Sequence, residues 1–265
     1  MTSLTPAALA VLRGASRVVV TTGAGMSKDS GIPTFRDALT GFWANYSAED
    51  YATEAAFRRD PARVFGWYAW RRRLALAAVP HAGYHALLAL EGLVGRLDVV
   101  TQNVDGLHRR VGSQRVIELH GSLDRFSCLD ARHPADAAQV PMPEVDGPYA
   151  PPPCRVCGSP LRPDVVWFGE MLPERATADA WDLAAACDVM LVVGTSGLVH
   201  PAAQLPHIAR DAGATVIEIN PDETELTPIA HVVLPGRAAE VLPSLVDSLQ
   251  RATGNGQRGG EEGRG

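Results

Sequence analysis

The residue best suited to acid–base chemistry is His120. It follows an apolar run at 116–119 and precedes Gly121 and Ser122, so it lies at the end of a predicted strand. A neutral imidazole, with a reference pKa of about 6.5, can take a proton from a hydroxyl group near neutral pH. A histidine at a strand end can equally be structural, and its position by itself leaves both interpretations open.

A second group of polar side chains follows another apolar run. The octamer TQNVDGLH at 101–108 places Gln102, Asn103 and Asp105 directly after that run. Open α/β sheets bind ligands at the carboxyl ends of their strands, where amides and a carboxylate can hold a carboxamide and ribose hydroxyls. Asn103 and Asp105 could instead cap a helix, which is the structural alternative for this segment.

A glycine-containing turn, Gly23-Ala24-Gly25, comes after the apolar run at 18–22. Glycines there allow backbone amides and a helix N-terminus to approach a pyrophosphate. Position 28 is Lys28 rather than the third glycine of the usual dinucleotide motif, so the two glycines alone are also compatible with a plain tight turn.

Two later runs also end in small polar residues. The run at 188–193 precedes Gly194, Thr195 and Ser196, and the run at 215–219 precedes Asn220. Side chains of this kind at strand ends can hydrogen-bond the ribose and phosphate oxygens of a nucleotide.

These groups are positioned by short runs rich in valine and isoleucine. The runs lie at 17–22, 97–102, 116–120, 165–168, 189–194, 215–220 and 231–234. The runs are apolar on both faces and alternate with helical patterns, as a parallel sheet covered by helices requires. We therefore predict an α/β fold with a Rossmann-like, doubly wound parallel sheet.

The chain is predicted to form one domain over 1–250, with a core at 1–52, 94–121 and 164–250. A helical insertion is expected at 53–93, with a break at Pro80 between two helices. A small, proline-rich and cysteine-containing module is expected at 122–163. The glycine-rich, charged stretch at 251–265 predicts a disordered tail.

Composition excludes several classes of protein. A net charge of -6 argues against a nucleic-acid binder, apart from a local basic cluster at 71–73. The N-terminal sequence does not resemble a signal peptide and the apolar runs are short, which predicts a cytoplasmic protein without membrane contact. Four cysteines are too few for a disulfide scaffold. The sequence does not indicate an oligomeric state, and a monomer is the default expectation.

The segments GAGMSKDSGIPTFR at 23–36, TQNVDGLH at 101–108 and ELHGS at 118–122 together resemble the sirtuin family. The resemblance extends from about residue 17 to 245 and implies an NAD-consuming enzyme that removes acyl groups from protein lysines. It implies proton transfer by His120 and a role for Asn103 and Asp105 in nicotinamide cleavage. The NAD contacts it implies are Gly23, Ala24, Gly25, Met26, Ser27, Phe35, Arg36, Gln102, Asn103, Val104, Asp105, Gly194, Thr195, Ser196, Asn220 and Ala238.

The same resemblance implies where acyl-lysine binds. The segment Val166-Trp167-Phe168-Gly169 matches the sirtuin segment that accepts the substrate backbone by strand addition. Tyr68 and Arg71, at i and i+3 in a predicted helix, resemble the pair that recognises acidic acyl chains in class III sirtuins. Guanidinium matches carboxylate bidentately, so succinyl-, malonyl- or glutaryl-lysine is the expected substrate, with acetyl-lysine also accepted. A core aromatic beside a solvated basic cluster is the alternative.

The cysteines depart from the family pattern, in which two Cys-x-x-Cys pairs bind one zinc. Cys154 and Cys157 supply one pair, and Cys128 stands where the other should begin, but Ala131 replaces its partner. Asp130 or His133 could complete the set, or the module could fold without metal. Zinc is therefore one of two open outcomes, with Cys128, Cys154 and Cys157 as candidate ligands. Cys187 is expected in the core.

Two other functions stay open at this point. An ADP-ribosyltransferase would use the same cleavage of NAD with another acceptor, and a catalytically idle NAD-sensing module would bind NAD without reaction.

Overall fold

The computed structural model describes residues 6–34 and 51–258, the side chains of 253–258 excepted. Its centre is a six-stranded parallel sheet with the order β3-β2-β1-β7-β8-β9. This confirms the predicted doubly wound fold. The strands are β1 (Arg17–Thr22), β2 (Arg96–Thr101), β3 (Val116–Glu118), β7 (Val189–Val193), β8 (Thr215–Asn220) and β9 (Val232–Pro235).

Helices cover both faces of this sheet. One face packs against α1 (Pro6–Gly14), α5 (Ala82–Leu90) and α9 (Ala238–Arg258), and its core includes Leu12, Leu87 and Leu245. The other face packs against α7 (Glu174–Ala186) and α8 (Leu205–Asp211), with Ala180 and Leu205 in its core. Because both faces are covered, the central strands consist almost entirely of buried residues, as the apolar runs predicted.

Strand order reverses at β1, which lies between β2 and β7. In doubly wound sheets, such a switch point opens a crevice at the carboxyl ends of the strands. Two very short helices lie at this edge: α2 (Gly25–Lys28) follows β1, and α6 (Leu107–Arg110) follows β2.

The helical insertion contains three helices rather than the two expected. They are α3 (Glu54–Arg59), α4 (Pro61–Ala77) and α5, and the predicted break at Pro80 separates the last two. The additional break lies at Asp60, whose side chain accepts a hydrogen bond from the Arg63 amide at 3.1 Å and caps α4. Pro61 begins α4 without an amide hydrogen that would need a partner.

The small module is built on a three-stranded antiparallel sheet with the order β5-β4-β6. Its strands are β4 (Gly121–Cys128), β5 (Pro134–Ala135) and β6 (Leu161–Val165). The predicted strand at 165–168 is wrong, because Val165 is the last residue of β6 and the chain then turns. The turn is held by Glu170, whose side chain accepts a hydrogen bond from the Trp167 amide at 2.8 Å.

An aromatic core joins the module to α3 and α4. It contains Phe57, Trp67, Tyr68 and Trp167, all of them buried. Tyr68 and Trp167 lie with ring centroids 6.3 Å apart. The helical insertion and the small module therefore share one hydrophobic core instead of packing separately.

The C-terminal helix differs from the predicted tail. Residues 251–258 continue α9, whereas the sequence predicts disorder from 251. Once Leu242, Leu245 and Leu249 are packed against the sheet, adding further helical residues is favourable because helix propagation is cooperative.

In the described part of the chain, no helix is long and apolar enough to cross a membrane.

Candidate active site

A large cleft of about 1130 Å³ lies at the carboxyl edge of the main sheet, between the sheet, α4 and the end of β6. It collects most of the residues that the sequence singled out. Those lining it are Gly23, Ala24, Gly25, Ser27, Tyr68, Arg71, Gln102, Asn103, Val104, Asp105, His120, Val166, Trp167, Phe168, Gly169, Gly194, Thr195, Ser196, Asn220 and Ala238.

The glycines of the turn after β1 are required by a close approach of two backbones. The Gly25 amide donates to the Gly194 carbonyl at 2.8 Å. A Cβ on Gly25 would lie 2.8 Å from that same oxygen, and Gly194 itself has a φ of +60. Side chains at these positions would push the ends of β1 and β7 apart, so the glycines set the width of the crevice.

A network of buried hydrogen bonds orders the floor of the cleft. The Asn103 amide group donates to the Gly23 carbonyl and to Ser27 Oγ, both at 2.9 Å. Ser27 Oγ donates to Asp105 Oδ2 at 2.6 Å and lies 3.0 Å from the Tyr84 hydroxyl. These contacts fix the rotamers of Asn103 and Asp105, and the Tyr84 link was not predicted.

Burial dominates the electrostatics of this network. The pKa of Asp105 is raised because burial disfavours its charged form, although bonds from Ser27 and the Leu107 amide act in the opposite direction. His108, which the sequence left undecided, is buried behind the network with its Nε2 3.0 Å from Thr22 Oγ1. Burial lowers its pKa to about 3, so the ring is neutral at pH 7. His108 does not line the cleft.

The position of His120 fits a general base. Its Nδ1 lies 3.1 Å from the Gln102 carbonyl oxygen, which can only accept a hydrogen bond. The proton of the neutral ring is therefore on Nδ1, and Nε2 carries the lone pair. Burial lowers the pKa of His120, while the bond to Gln102 acts against that shift. The ring is accordingly neutral at pH 7.

The far side of the switch point forms a compact polar group. The Gln102 side-chain amide donates to Thr195 Oγ1 at 3.1 Å, and the Asn220 side-chain amide donates to the Thr195 carbonyl at 2.9 Å. The ends of β2, β7 and β8 are thereby joined across the sheet. The residues predicted after β7 and β8 to contact a nucleotide thus lie together at one edge.

The end of the cleft that Tyr68 and Arg71 line is bounded by α4. Burial raises the pKa of Tyr68 to about 12, so its phenol keeps its proton. The Arg71 guanidinium carbon lies 4.9 Å from the centre of the Trp67 ring and 5.9 Å from that of Tyr68. Burial lowers the pKa of Arg71, with Tyr68 and Asp105 opposing the shift. An arginine remains charged in proteins, so a phenol donor and a cation border the cleft together.

Glu170, a further residue that sequence reasoning missed, shapes the opposite wall. It pairs with Arg162, which is fully buried and whose guanidinium carbon lies 3.3 Å from the Trp167 ring centre. The pair also holds the Trp167 amide through Glu170. The only sequence signal for this role is that Glu170 ends the segment VVWFGE.

Three of the predicted NAD contacts are not placed in the cleft. Met26 is fully buried in the hydrophobic core, because the short helix α2 directs its side chain inward. Phe35 and Arg36 lie outside the described residues.

The cysteines of the small module converge with a histidine. Cys128, Cys154, Cys157 and His133 each offer one ligand atom, and these atoms all lie within 4.8 Å of one another. Asp130, the alternative fourth ligand, is instead bonded to Ser159 and Arg58. Cys187 is buried elsewhere, in the core beside α7, as expected.

Comparisons with known proteins show which family the chain is similar to. A profile described as the Sir2 family matches residues 23–201. The chain is 50% identical over 241 residues to NAD-dependent protein deacylase 2 of Pyrobaculum aerophilum, covering 91% of this chain and 94% of that protein. A crystal structure of a Sir2 homologue–NAD complex has a TM-score of 0.86 at 43% identity, covering 95% of this chain and 96% of the other. A mutant Sir2 homologue with 2'-O-acetyl ADP-ribose has a TM-score of 0.87 at 43% identity, covering 94% and 98%.

Proposed function

Because this chain belongs to the Sir2 (sirtuin) family, we propose that it is an NAD-dependent protein-lysine deacylase with a preference for acidic acyl groups. The observation that carries the deacylase function is that His120 and the Asn103–Ser27–Asp105 network border one cleft with the predicted NAD-binding strand ends. NAD is a consumed substrate in this reaction.

The chemistry proceeds through the acyl oxygen of the bound lysine. This oxygen attacks the ribose carbon that nicotinamide leaves, which forms an imidate. His120 Nε2 then takes the proton of a ribose hydroxyl, and that hydroxyl attacks the imidate carbon. The carbon–nitrogen bond to lysine then breaks as the lysine nitrogen takes the proton held by His120, and addition of water gives 2'-O-acyl-ADP-ribose beside the free lysine. The network that fixes Asn103 supports its role beside nicotinamide, because an oriented amide can hold a carboxamide without reorganising.

The acidic-acyl preference rests on Tyr68 and Arg71. A succinyl chain entering past Trp167 would bring a carboxylate toward a guanidinium and a protonated phenol. Both groups donate to a carboxylate, and Arg71 is already partly desolvated by the aromatic rings around it, which strengthens such a bond. An acetyl group has no carboxylate and would leave this pair unengaged.

The substrate backbone is proposed to lie along Val166–Gly169. The amides of Val166 and Phe168 donate to the carbonyls of His120 and Ala52, at 2.9 and 2.8 Å. The Trp167 amide is held by Glu170. These three amides are engaged, and the Trp167 carbonyl accepts from the Glu170 amide at 3.0 Å. Amides of the substrate would therefore donate to other carbonyl oxygens of the segment, such as that of Val166. The exposed ring of Phe168 adds an apolar contact.

A side-by-side turnover assay tests the proposal. Acetyl-, succinyl- and malonyl-lysine peptides are incubated with and without NAD, and 2'-O-acyl-ADP-ribose and free lysine are quantified by mass spectrometry. NAD-dependent release of both products supports deacylation. Mass analysis of the protein substrate separates the ADP-ribosyltransferase alternative, which adds ADP-ribose to it. NAD binding without products would indicate an idle sensor.

A further inference from the structure

Three contacts within the four-residue cluster of the small module have the lengths of the edges of a metal tetrahedron. Cys128 Sγ lies 3.5 Å from His133 Nδ1 and 3.7 Å from Cys157 Sγ. Cys154 Sγ lies 3.8 Å from the same His133 nitrogen. Zinc binds thiolates at about 2.3 Å and imidazoles at about 2.0–2.1 Å, so two ligands of one tetrahedral zinc are separated by about 3.8 Å for S–S and about 3.6 Å for S–N. The three contacts match these edges.

The backbone around His133 is shaped to bring its ring to Cys128. Among the described residues, Arg132 is the one non-glycine residue with positive φ, at 55. This conformation reverses the chain, so that the His133 amide lies 3.2 Å from Cys128 Sγ. Strain of this kind persists where the surroundings demand it, and an amide directed at a cysteine sulfur is a common support of metal-bound thiolates.

We propose that His133 Nδ1 is the fourth ligand of a closed Cys₃His zinc site with Cys128, Cys154 and Cys157. The chain thus replaces the fourth cysteine of the family pattern with a histidine further along the loop. Four protein ligands leave no open position, which makes the metal structural. It lies at the opposite end of β4 from His120, and eight strand residues at about 3.3 Å each place it roughly 20 Å or more away from the catalytic histidine.

Cobalt substitution tests the ligand set independently of enzyme activity, so its outcome is separate from that of the proposed function. Co²⁺ is loaded into the wild-type chain and into His133→Cys, His133→Ala and Asp130→Ala. The near-ultraviolet sulfur-to-cobalt absorption grows with the number of Co–S bonds. We expect one tetrahedral Co²⁺ per chain in the wild type, and an intensity ratio of about 4:3 for His133→Cys over the wild type.

The two alanine variants distinguish the candidate fourth ligands. Competition with a chromogenic chelator should show zinc affinity reduced at least about tenfold in His133→Ala and unchanged in the matched control Asp130→Ala. If His133→Ala does not fold, His133→Cys still decides, since it keeps four ligands. The proposal is overturned by an unchanged cobalt spectrum in His133→Cys, by loss of affinity in Asp130→Ala instead, or by a wild-type chain that binds no metal.

Discussion

Replacing Arg71 by methionine is expected to change which acyl group the enzyme prefers. Methionine keeps much of the apolar stem of Arg71 but removes the guanidinium that lies over the Trp67 ring, and with it the charge and all donors. Of the two groups that would bind a succinyl carboxylate in this partly desolvated cleft, only the Tyr68 phenol would then remain. Loss of a hydrogen bond to a charged group costs about 1.5–3 kcal/mol. That corresponds to roughly a ten- to hundredfold fall in kcat/KM for the succinyl peptide.

The assay compares kcat/KM for succinyl- and acetyl-lysine versions of one peptide. Removing the cation also raises the pKa of Asp105 further, because Arg71 lowers it in the wild type. That effect acts on both substrates, so the informative quantity is the ratio of the two constants. Arg71→Lys is the matched control, since it keeps the charge without the bidentate fork and should give an intermediate ratio. Tyr68→Phe should lower the succinyl-to-acetyl ratio of kcat/KM by about two- to tenfold.

Equal losses for both peptides in Arg71→Met would refute the reasoning. In that case Arg71 would serve the aromatic core around Trp67 and Tyr68, and the acidic-acyl preference would have no support. Circular dichroism and NAD affinity of the variant show whether the fold and the nucleotide site are retained.

Three further outcomes follow from buried histidines. His120→Ala should reduce kcat at least about 100-fold while NAD affinity, measured by calorimetry, changes little, because the strand ends that we propose bind NAD are untouched; near-normal turnover would contradict the base assignment. Since burial lowers the pKa of His120, the acid limb of the pH–kcat/KM profile should fall below pH 6.5, and an inflection above 7 would argue for another group. The pKa of His108 is about 3 in the folded state and about 6.5 in the unfolded state. Between these pH values only the unfolded state binds the proton, so the free energy of unfolding falls as the pH drops below 6.5. Between pH 8 and 5, the wild type should lose about 2 kcal/mol more stability than His108→Gln in urea titrations, and equal losses would exclude this role.

The parts of the site that could be predicted lie at strand ends. Asn103, His120, Thr195 and Asn220 are far apart in the chain, but each follows an apolar run, and parallel strands bring their carboxyl ends to one edge. The strand pattern is therefore enough to place them together. The same logic failed at 165–168, where an apolar run suggests a strand but the Glu170 side chain takes the Trp167 amide and turns the chain.

Contacts that depend on tertiary packing were not predictable. Tyr84 reaches Ser27 because α5 packs beside the turn after β1, and nothing in its local spacing signals this. The sequence offered His133 and Asp130 as alternative fourth ligands, and what it does not announce is the positive φ at Arg132 that brings His133 to the cysteines. In both cases a side chain acquires its role from a backbone path fixed by other contacts.

The cleft has two halves, which we propose bind the nucleotide and the acyl group, and different parts of the molecule support them. The nucleotide half rests on β1, β2, β7 and β8, whose ends are joined through Gly25, Gly194 and Thr195. The acyl half rests on α4 and on the turn held by Glu170, within the aromatic core shared with the small module. The two halves are coupled electrostatically, because Arg71 acts to lower the pKa of Asp105 and Asp105 acts to raise that of Arg71. A substitution at Arg71 is therefore expected to act on the network around Asp105 as well as on the selection of the acyl group, and only the ratio of kcat/KM for two acyl substrates separates the two effects.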